Sequence, residues 1–552
     1  MVKPVQFEAD YVVVGAGSAG CAIAARLSED PATKVALLEA GGSDLSPWVR
    51  MPIGYGGAFF HPGLNWRYYS EPDEGFLGRK AYWPRGKVLG GSSAINAMVY
   101  VRGQARDFDL WAEAGNPGWS YADLLPHFRK MEDYAGQPSE WRGRGGPIGV
   151  RDIDGAAHPL SHAFLAAASA AGYHLNPDYN GADQEGVGFF QITTRGGLRC
   201  SAATGYLHPA RRRPNLRIET GALATRLIFE GRRCVGVEYR QHGRLFEIRA
   251  RREVILSAGA VNTPQLLQLS GIGDAARLAA LGIETRLDRP AVGANLQDHI
   301  GFDYIFEANR PTLNAVLGPW RGRIGAGLRY LATRDGPLSL SVNQAGGFVR
   351  SDPGRDRPNI QLYFSPLSYT RAVPGRRRLL APDVFPGFMI GISNCHPKSR
   401  GHLHIRSSDP AAPPEIHPRY LSAPEDLDEL VSGAAIIRKI ASQPQIAAAI
   451  NRELQPGVET RTREAIVEDI RQRSTSVYHP CGTCRMGPDP DAGAVVDARL
   501  RVHGIGGLRV ADASIFPSIT AGNINAPAIM VGEKAAQMIR EDAALPVGWG
   551  SR

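Results

Sequence analysis

The sequence predicts an α/β fold, α+β over the whole chain, with one domain on a parallel sheet and a second domain built on a mostly antiparallel sheet. Three observations carry this expectation. Residues 11–14, 18–29 and 35–38 read as a buried strand, a helix and a second strand, one βαβ unit. Residues 253–259 form a second apolar strand that ends in a small-residue turn and leads into a helix, returning the chain to the same sheet. Residues 359–364 and 388–392 alternate as strands in a region without helical crossovers, which is how an antiparallel sheet reads.

The N-terminal unit is the most informative stretch. Gly15 allows a tight strand-to-helix turn, Gly17 lets the backbone approach a pyrophosphate, and Gly20 lets helix and strand pack closely. The helix start offers free N–H groups to phosphates. Glu39 closes the second strand about 20 residues beyond Gly20, where a carboxylate accepts from ribose hydroxyls. Glycine patterns alone are weak evidence in a chain with 64 glycines, but strand, helix, second strand and acid all fall in place. The unit is a Rossmann-like dinucleotide site for an adenosine with a free 2′-hydroxyl; NAD and FAD both fit this stretch.

With 552 residues, 43% apolar and 21% charged, the chain has room for two or more domains with large cores. The net charge of +9 is scattered. Its short clusters, Arg211, Arg212 and Arg213 and then Arg376, Arg377 and Arg378, read as solvated loops, which excludes nucleic acid and leaves at most peripheral membrane contact. Residues 1–8 run into the first strand without an apolar h-region, so a cytoplasmic protein is the default expectation. Six dispersed cysteines make no disulfide scaffold. Cys481 and Cys484 have CxxC spacing, but one pair lacks the ligands for structural zinc, and two buried small side chains is the better reading.

The remaining elements follow in order. Residues 41–91 are irregular and aromatic, with Trp48, Tyr55, Phe59, Phe60, Trp66 and Trp83 among them, as expected of a segment that covers a ligand. Gly90, Gly91, Ser92 and Ser93 then form a second phosphate-friendly loop that should enter a helix. Helices are expected within 109–131, and strands at 215–219, 222–229 and 235–239 as a small antiparallel insertion. Thr263-Pro264 marks a helix start. Near the C-terminus a strand at 508–511 ends in Asp512, and Asn523 and Asn525 open a helix, polar groups where α/β sheets bind ligands.

These blocks together resemble the glucose-methanol-choline (GMC) family of FAD-dependent oxidoreductases over nearly the whole chain. Both family signatures are present, at 86–109 and 259–273, beside the N-terminal fingerprint and the His479 and Asn523 blocks. Bacterial choline-dehydrogenase-like and alcohol dehydrogenase members are the most similar. The resemblance implies an FAD domain made of 1–155, 195–300 and 475–552, and a substrate domain made of 156–194 and 301–474. It implies Ala16, Gly17 and Ser18 at the pyrophosphate, Glu39 and Ala40 at the adenosine ribose, and Ala224 at the adenine. Trp66, Val88, Ser92, Asn96, Ala97, Met98 and Val99 would line the flavin region, with Asp512, Ala513, Asn525 and Pro527 on the C-terminal side. Some members attach FAD through a histidine in the 90–96 block; Ile95 stands there, so non-covalent FAD is expected.

The implied chemistry needs a base for the hydroxyl proton while the α-hydrogen leaves as hydride to flavin N5. His479 suits the first task because imidazole titrates near neutral pH. Asn523, at the position of a partner His or Asn, hydrogen-bonds the substrate oxygen without titrating. The expectation is therefore an alcohol dehydrogenase or oxidase that turns a primary alcohol into its aldehyde, with O2 or a quinone or dye as acceptor. The aromatic 41–91 segment and Leu338, Val342, Phe348, Tyr363 and Phe364 favour an apolar aliphatic or aryl alcohol. Choline-type or polyol substrates, and a lyase or photodecarboxylase on the same fold, are the alternatives.

Overall fold

The structure, a computed structural model, describes residues 5–369 and 381–544; Arg376, Arg377, Arg378 and the first four residues lie outside the described residues. A seven-stranded sheet carries the N-terminal unit. Its order is Leu216–Thr220, Val35–Glu39, Val5–Val14, Arg244–Leu256, Arg233–Gln241 and Leu223–Glu230, with Leu508–Val510 paired to the end of Arg244–Leu256. Val5–Val14 lies parallel to both of its neighbours. Val12 and Val13 are fully buried, because helices cover a parallel sheet on both faces. On one face helix Ser18–Leu27 packs against the C-terminal helix Asn525–Ala544, and Arg26 Nη2 reaches Glu533 Oε1 at 2.8 Å across the pair.

Three local expectations are corrected. Leu216–Thr220 is not part of an antiparallel insertion; it extends the parallel edge beside Val35–Glu39, and only the later strands Leu223–Glu230, Arg233–Gln241 and Arg244–Leu256 form the antiparallel meander. The loop at Gly90 enters a single turn of 3₁₀ helix, Gly91–Ala94, and no longer helix. Asn96 Oδ1 accepts the Met98 N–H at 3.1 Å, and Met98 sits at φ 66°, which ends helical geometry. The helix of the second signature starts at Gly259 and not at Thr263-Pro264. Pro264 has no N–H for the Ala260 carbonyl, and Thr483 Oγ1 donates to that carbonyl instead at 2.7 Å.

The second large sheet is antiparallel throughout, ordered Ile450–Gln455, Ile300–Ala308, Gly387–Asn394, Ile360–Ser365, Ala345–Val349 and Gly186–Phe189, with Thr475–Ser476 paired to Ile300 and Gly301. Its period-2 alternation gives two unlike faces. Phe302, Tyr304, Phe306, Ile390, Ile392, Leu362 and Phe364 face the helices Pro159–Ala170 and Pro424–Ala441 in one apolar core. The opposite face carries a row of Gly301, Ser393 and Gln361, then a row of Asp303, Gly391, Tyr363 and Gly346. Phe364 is therefore core packing, whereas Tyr363 lies on the polar face.

Candidate active site

A cavity runs along the carboxyl ends of the parallel strands, the usual ligand crevice of such sheets. Gly15, Gly17 and Ser18 line it at the start of helix Ser18–Leu27. Gly15 holds φ 99°, and a Cβ there would lie 2.5 Å from the Ser257 carbonyl; a Cβ on Gly20 would lie 1.9 Å from the Gly15 carbonyl. Any larger residue at either position would push the turn out of the crevice. The Glu39 carboxyl is buried in the cavity wall, accepting from Ala16 N at 2.9 Å and Gly41 N at 2.8 Å. Burial pushes it up to about 7, against the pull of those two N–H groups. Ala40 and Ala224 border the same end. Beyond Gly91 and Ser92 the cavity reaches Trp66, Arg85 and Pro480.

Pro480 leads to the titratable cluster. Asn523 Nδ2 meets His479 Nε2 at 3.0 Å, and His479 Nδ1 meets His299 Nδ1 at 3.0 Å. His299 Nε2 lies 2.9 Å from the Cys395 carbonyl. A carbonyl only accepts, so that Nε2 carries hydrogen and the neutral His299 presents its Nδ1 lone pair. His479 must then donate through Nδ1, which leaves its Nε2 without hydrogen, its lone pair accepting from Asn523 Nδ2. The direction continues outward: Gln361 Nε2 donates to Asn523 Oδ1 at 3.3 Å, and the Tyr363 hydroxyl donates to Gln361 Oε1 at 2.7 Å. From Tyr363 to Cys395 every bond points the same way.

Burial holds both imidazoles neutral, His299 at about 4 and His479 well below its ordinary value, where His299 and then Arg85 also disfavour a proton. The backbone of His479 is fixed as well, since its N–H donates to Asp298 Oδ1 at 2.7 Å while Asp298 Oδ2 accepts from Ser476 and Tyr420. Burial raises Asp298 to about 6. Arg85 bridges this cluster to the loop at Gly91 and Ser92, donating to the Tyr478 carbonyl and to Ser92 Oγ, both at 2.8 Å.

One further carboxylate lies on the polar face of the antiparallel sheet. Asp303 stands over Gly391, whose missing side chain leaves it room. Burial raises it, opposed by Arg473, yet Arg473 forks onto Asp469 and only its Nη1 touches Asp303, at the backbone carbonyl. No donor among the described residues is bonded to the Asp303 carboxylate. Tyr363, Tyr369 and Tyr478 have their phenols raised by burial and, after it, by the Asp303 charge among their neighbours.

The structure thus brings Gly15, Gly17, Ser18, Glu39, Ala40, Trp66, Ser92, Ala224, Asp512 and Ala513 to one cavity wall. Asp512 spends its oxygens on the protein, accepting from Gly259 N, Thr263 Oγ1 and Ser514 N. Ala16, Gly20, Val88, Asn96, Ala97, Met98, Val99, Asn525 and Pro527 are not on that wall. Asn96 Oδ1 is held by Arg199 at 2.7 Å, Met98 and Val99 are buried in small apolar clusters, and Asn525 Oδ1 accepts from Ser18 Oγ at 2.8 Å. Sequence reading missed His299, Asp298, Arg85, Gln361 and Asp303. The adjacent polar pair Asp298-His299 at the mouth of an apolar strand was a signal for two of them. Cys481 and Cys484 are fully buried, their thiols pushed well above the ordinary range.

Among the described residues no helix is long and apolar enough to cross a membrane. The N- and C-terminal family models of GMC oxidoreductase match residues 9–301 and 397–532. An oxygen-dependent choline dehydrogenase of Sinorhizobium medicae (strain WSM419) is 44% identical over 534 residues, 96% of this chain and 95% of that protein. An alcohol dehydrogenase [acceptor] of Pseudomonas putida is 44% identical over 535 residues, with the same two coverages. Among solved structures, pyridoxine 4-oxidase from Mesorbium loti superposes with a TM-score of 0.87 at 32% identity, covering 97% of this chain and 99% of that one.

Proposed function

Because this chain belongs to the GMC oxidoreductase family, an FAD-dependent family acting on CH–OH donors, we propose that it oxidises the hydroxymethyl carbon of a small alcohol carrying a positively charged nitrogen. The observation that carries the substrate half of this reading is the Asp303 carboxylate, partly buried beside three tyrosines and bonded to no cation among the described residues. A carboxylate removed from water is costly until a cation joins it, and tyrosine rings add attraction for an ammonium group. Asp303 lies two residues along its strand from Gly301, in the row next to the one that holds Gln361, two strands away on the same face.

The residues present fit FAD. Gly15 and Gly17 at a helix start would hold the pyrophosphate, Glu39 the ribose, Ala224 the adenine side, and Trp66, Arg85 and Ser92 the flavin end. When bound, FAD supplies the two-electron acceptor for the α-hydrogen. His479 Nε2 takes the hydroxyl proton once the substrate hydroxyl replaces Asn523 Nδ2 as its donor, since the hydrogen-bond direction leaves that nitrogen without hydrogen. The Asn523 amide steadies the oxygen as charge develops. Ile95 is buried in an apolar cluster with Val49, Ala94 and Leu313, which supports dissociable FAD; acid precipitation should release all of the yellow colour.

A second reading, an apolar aliphatic or aryl alcohol, is favoured by the cluster of Tyr55, Phe59, Leu338, Val342 and Tyr478 beside the base. Anaerobic flavin bleaching by a panel of choline, aminoalcohols, benzylic and aliphatic alcohols separates the two. In the Asp303→Asn variant the kcat/KM for the cationic class should fall about 10- to 150-fold, the equivalent of about 1.5–3 kcal/mol for a lost charged hydrogen bond. Benzylic turnover should be unchanged. Equal losses for both classes would leave Asp303 without a role in recognition.

A further inference from the structure

Helix Trp320–Thr333 is lightly held: among its fourteen residues only Ala326 and Tyr330 are buried. Its large apolar side chains face water, with Trp320 66%, Ile324 53%, Leu328 63% and Leu331 68% exposed. At about 100° per residue these four fall within an arc of about 80°, so they form one continuous stripe. Gly325 and Gly327 face open space.

The surroundings are cationic. Residues 310–334 contain Arg310, Arg321, Arg323, Arg329 and Arg334 and no acidic residue. Among the described residues only Arg329 has an ion-pair partner, Asp335 at 3.2 Å. Arg321 lies over the Trp320 ring and Arg334 over Tyr330, so their charged heads stand at the margins of the stripe. Beside the preceding turn, Asn314 Nδ2 donates to the Asp383 and Phe385 carbonyls and holds the fully exposed Val384 near this surface.

From this combination we infer that helix Trp320–Thr333 is an interfacial helix that docks the enzyme on an anionic phospholipid surface. An apolar stripe with aromatic and leucine side chains, flanked by arginines, lies in the headgroup boundary with its apolar face buried and its cations on lipid phosphates. A second copy of the chain fits less well, because two such faces would bring unpaired arginines together. The helix is joined through Leu313–Leu317 to the apolar cluster that contains Tyr478, the neighbour of His479.

The test is flotation of the holoenzyme with vesicles of phosphatidylglycerol mixed with phosphatidylcholine, compared with vesicles of phosphatidylcholine alone. The wild type should float with the anionic vesicles, at least about tenfold more strongly than with the neutral ones, and high salt should weaken the binding. The double variant Leu328→Asp/Leu331→Asp should lose at least about tenfold in vesicle binding while keeping its flavin spectrum and its turnover of a soluble alcohol. Should that variant fold poorly, Arg321→Gln/Arg323→Gln gives the same reading through the salt dependence. The inference is overturned if the wild type does not float with anionic vesicles or if the variants float equally well. It is also overturned if the wild type is a dimer that binds no vesicle and the variant is a monomer.

Discussion

His299 lies behind the base, and its replacement tests the whole directional argument. In a His299→Leu variant the His479 Nδ1–H loses its acceptor and the Cys395 carbonyl loses its donor, and all three residues are buried. Each orphaned group costs about 1–3 kcal/mol of stability. The kinetic consequence is distinct, because nothing then keeps hydrogen on His479 Nδ1 and the competing tautomer places it on Nε2, where the base must be bare. A loss of about 1.5–3 kcal/mol in that preference corresponds to about 10- to 150-fold in the rate of anaerobic flavin reduction. An asparagine places its carboxamide near the Nδ1 position and should restore most of the rate; a glutamine reaches only toward Cys395 and should behave like leucine. Stopped-flow bleaching with a saturating alcohol, at equal flavin content, reads all three. If His299→Leu reduces flavin within about twofold of wild type, or if glutamine rescues as well as asparagine, the tautomer assignment is wrong.

The other predictions are simpler. His479→Ala should retain FAD and lose most alcohol oxidation, while Asn523→Leu should slow reduction and leave the thermal midpoint near wild type; unchanged turnover in the first would remove His479 from its role. The contribution of His299 to folding stability should fall in mild acid, opposite in sign to those of the raised carboxyls Glu39 and Asp298. His299 sits at about 4 against an ordinary value near 6.5, so between these pH values the unfolded chain binds more protons than the folded one. The contribution, about 3 kcal/mol by linkage, is present above pH 6.5 and lost as the pH falls toward 4. Urea midpoints at pH 7 and pH 5 measure it, and His299→Asn should flatten the difference.

Much of the cofactor crevice could be read from the sequence because its determinants are local. Gly15, Gly17 and Gly20 act through φ angles and contacts within one strand–turn–helix, and Glu39 ends the next strand, so spacing alone places them in a shared crevice. His479 and Asn523 were identified through their blocks, although nothing in their spacing says that their side chains meet at 3.0 Å. Local pattern failed where a distant residue decides the outcome. The helix of the second signature begins before Pro264 because Thr483, more than two hundred residues later, satisfies the carbonyl the proline leaves open. Leu216–Thr220 became a parallel edge strand because Val35–Glu39 offered it one.

What the sequence by itself determined is the fold class and the nucleotide cradle, since periodicity and glycine positions fix backbone geometry within a few residues. What only the tertiary structure decided is the hydrogen-bond direction at His479 and the placing of the Asp303 carboxylate. His299, His479, Asn523 and Gln361 come from four separate segments, and the proton on His479 is placed by a carbonyl at Cys395 that no local pattern marks. Asp303 becomes a candidate for cation recognition only when pleating turns it away from Phe302 and Tyr304 and cross-strand pairing sets it in one row with Gly391 and Tyr363. Electrostatic roles of this kind depend on burial and on partners distant in sequence, and both exist only once the chain has folded.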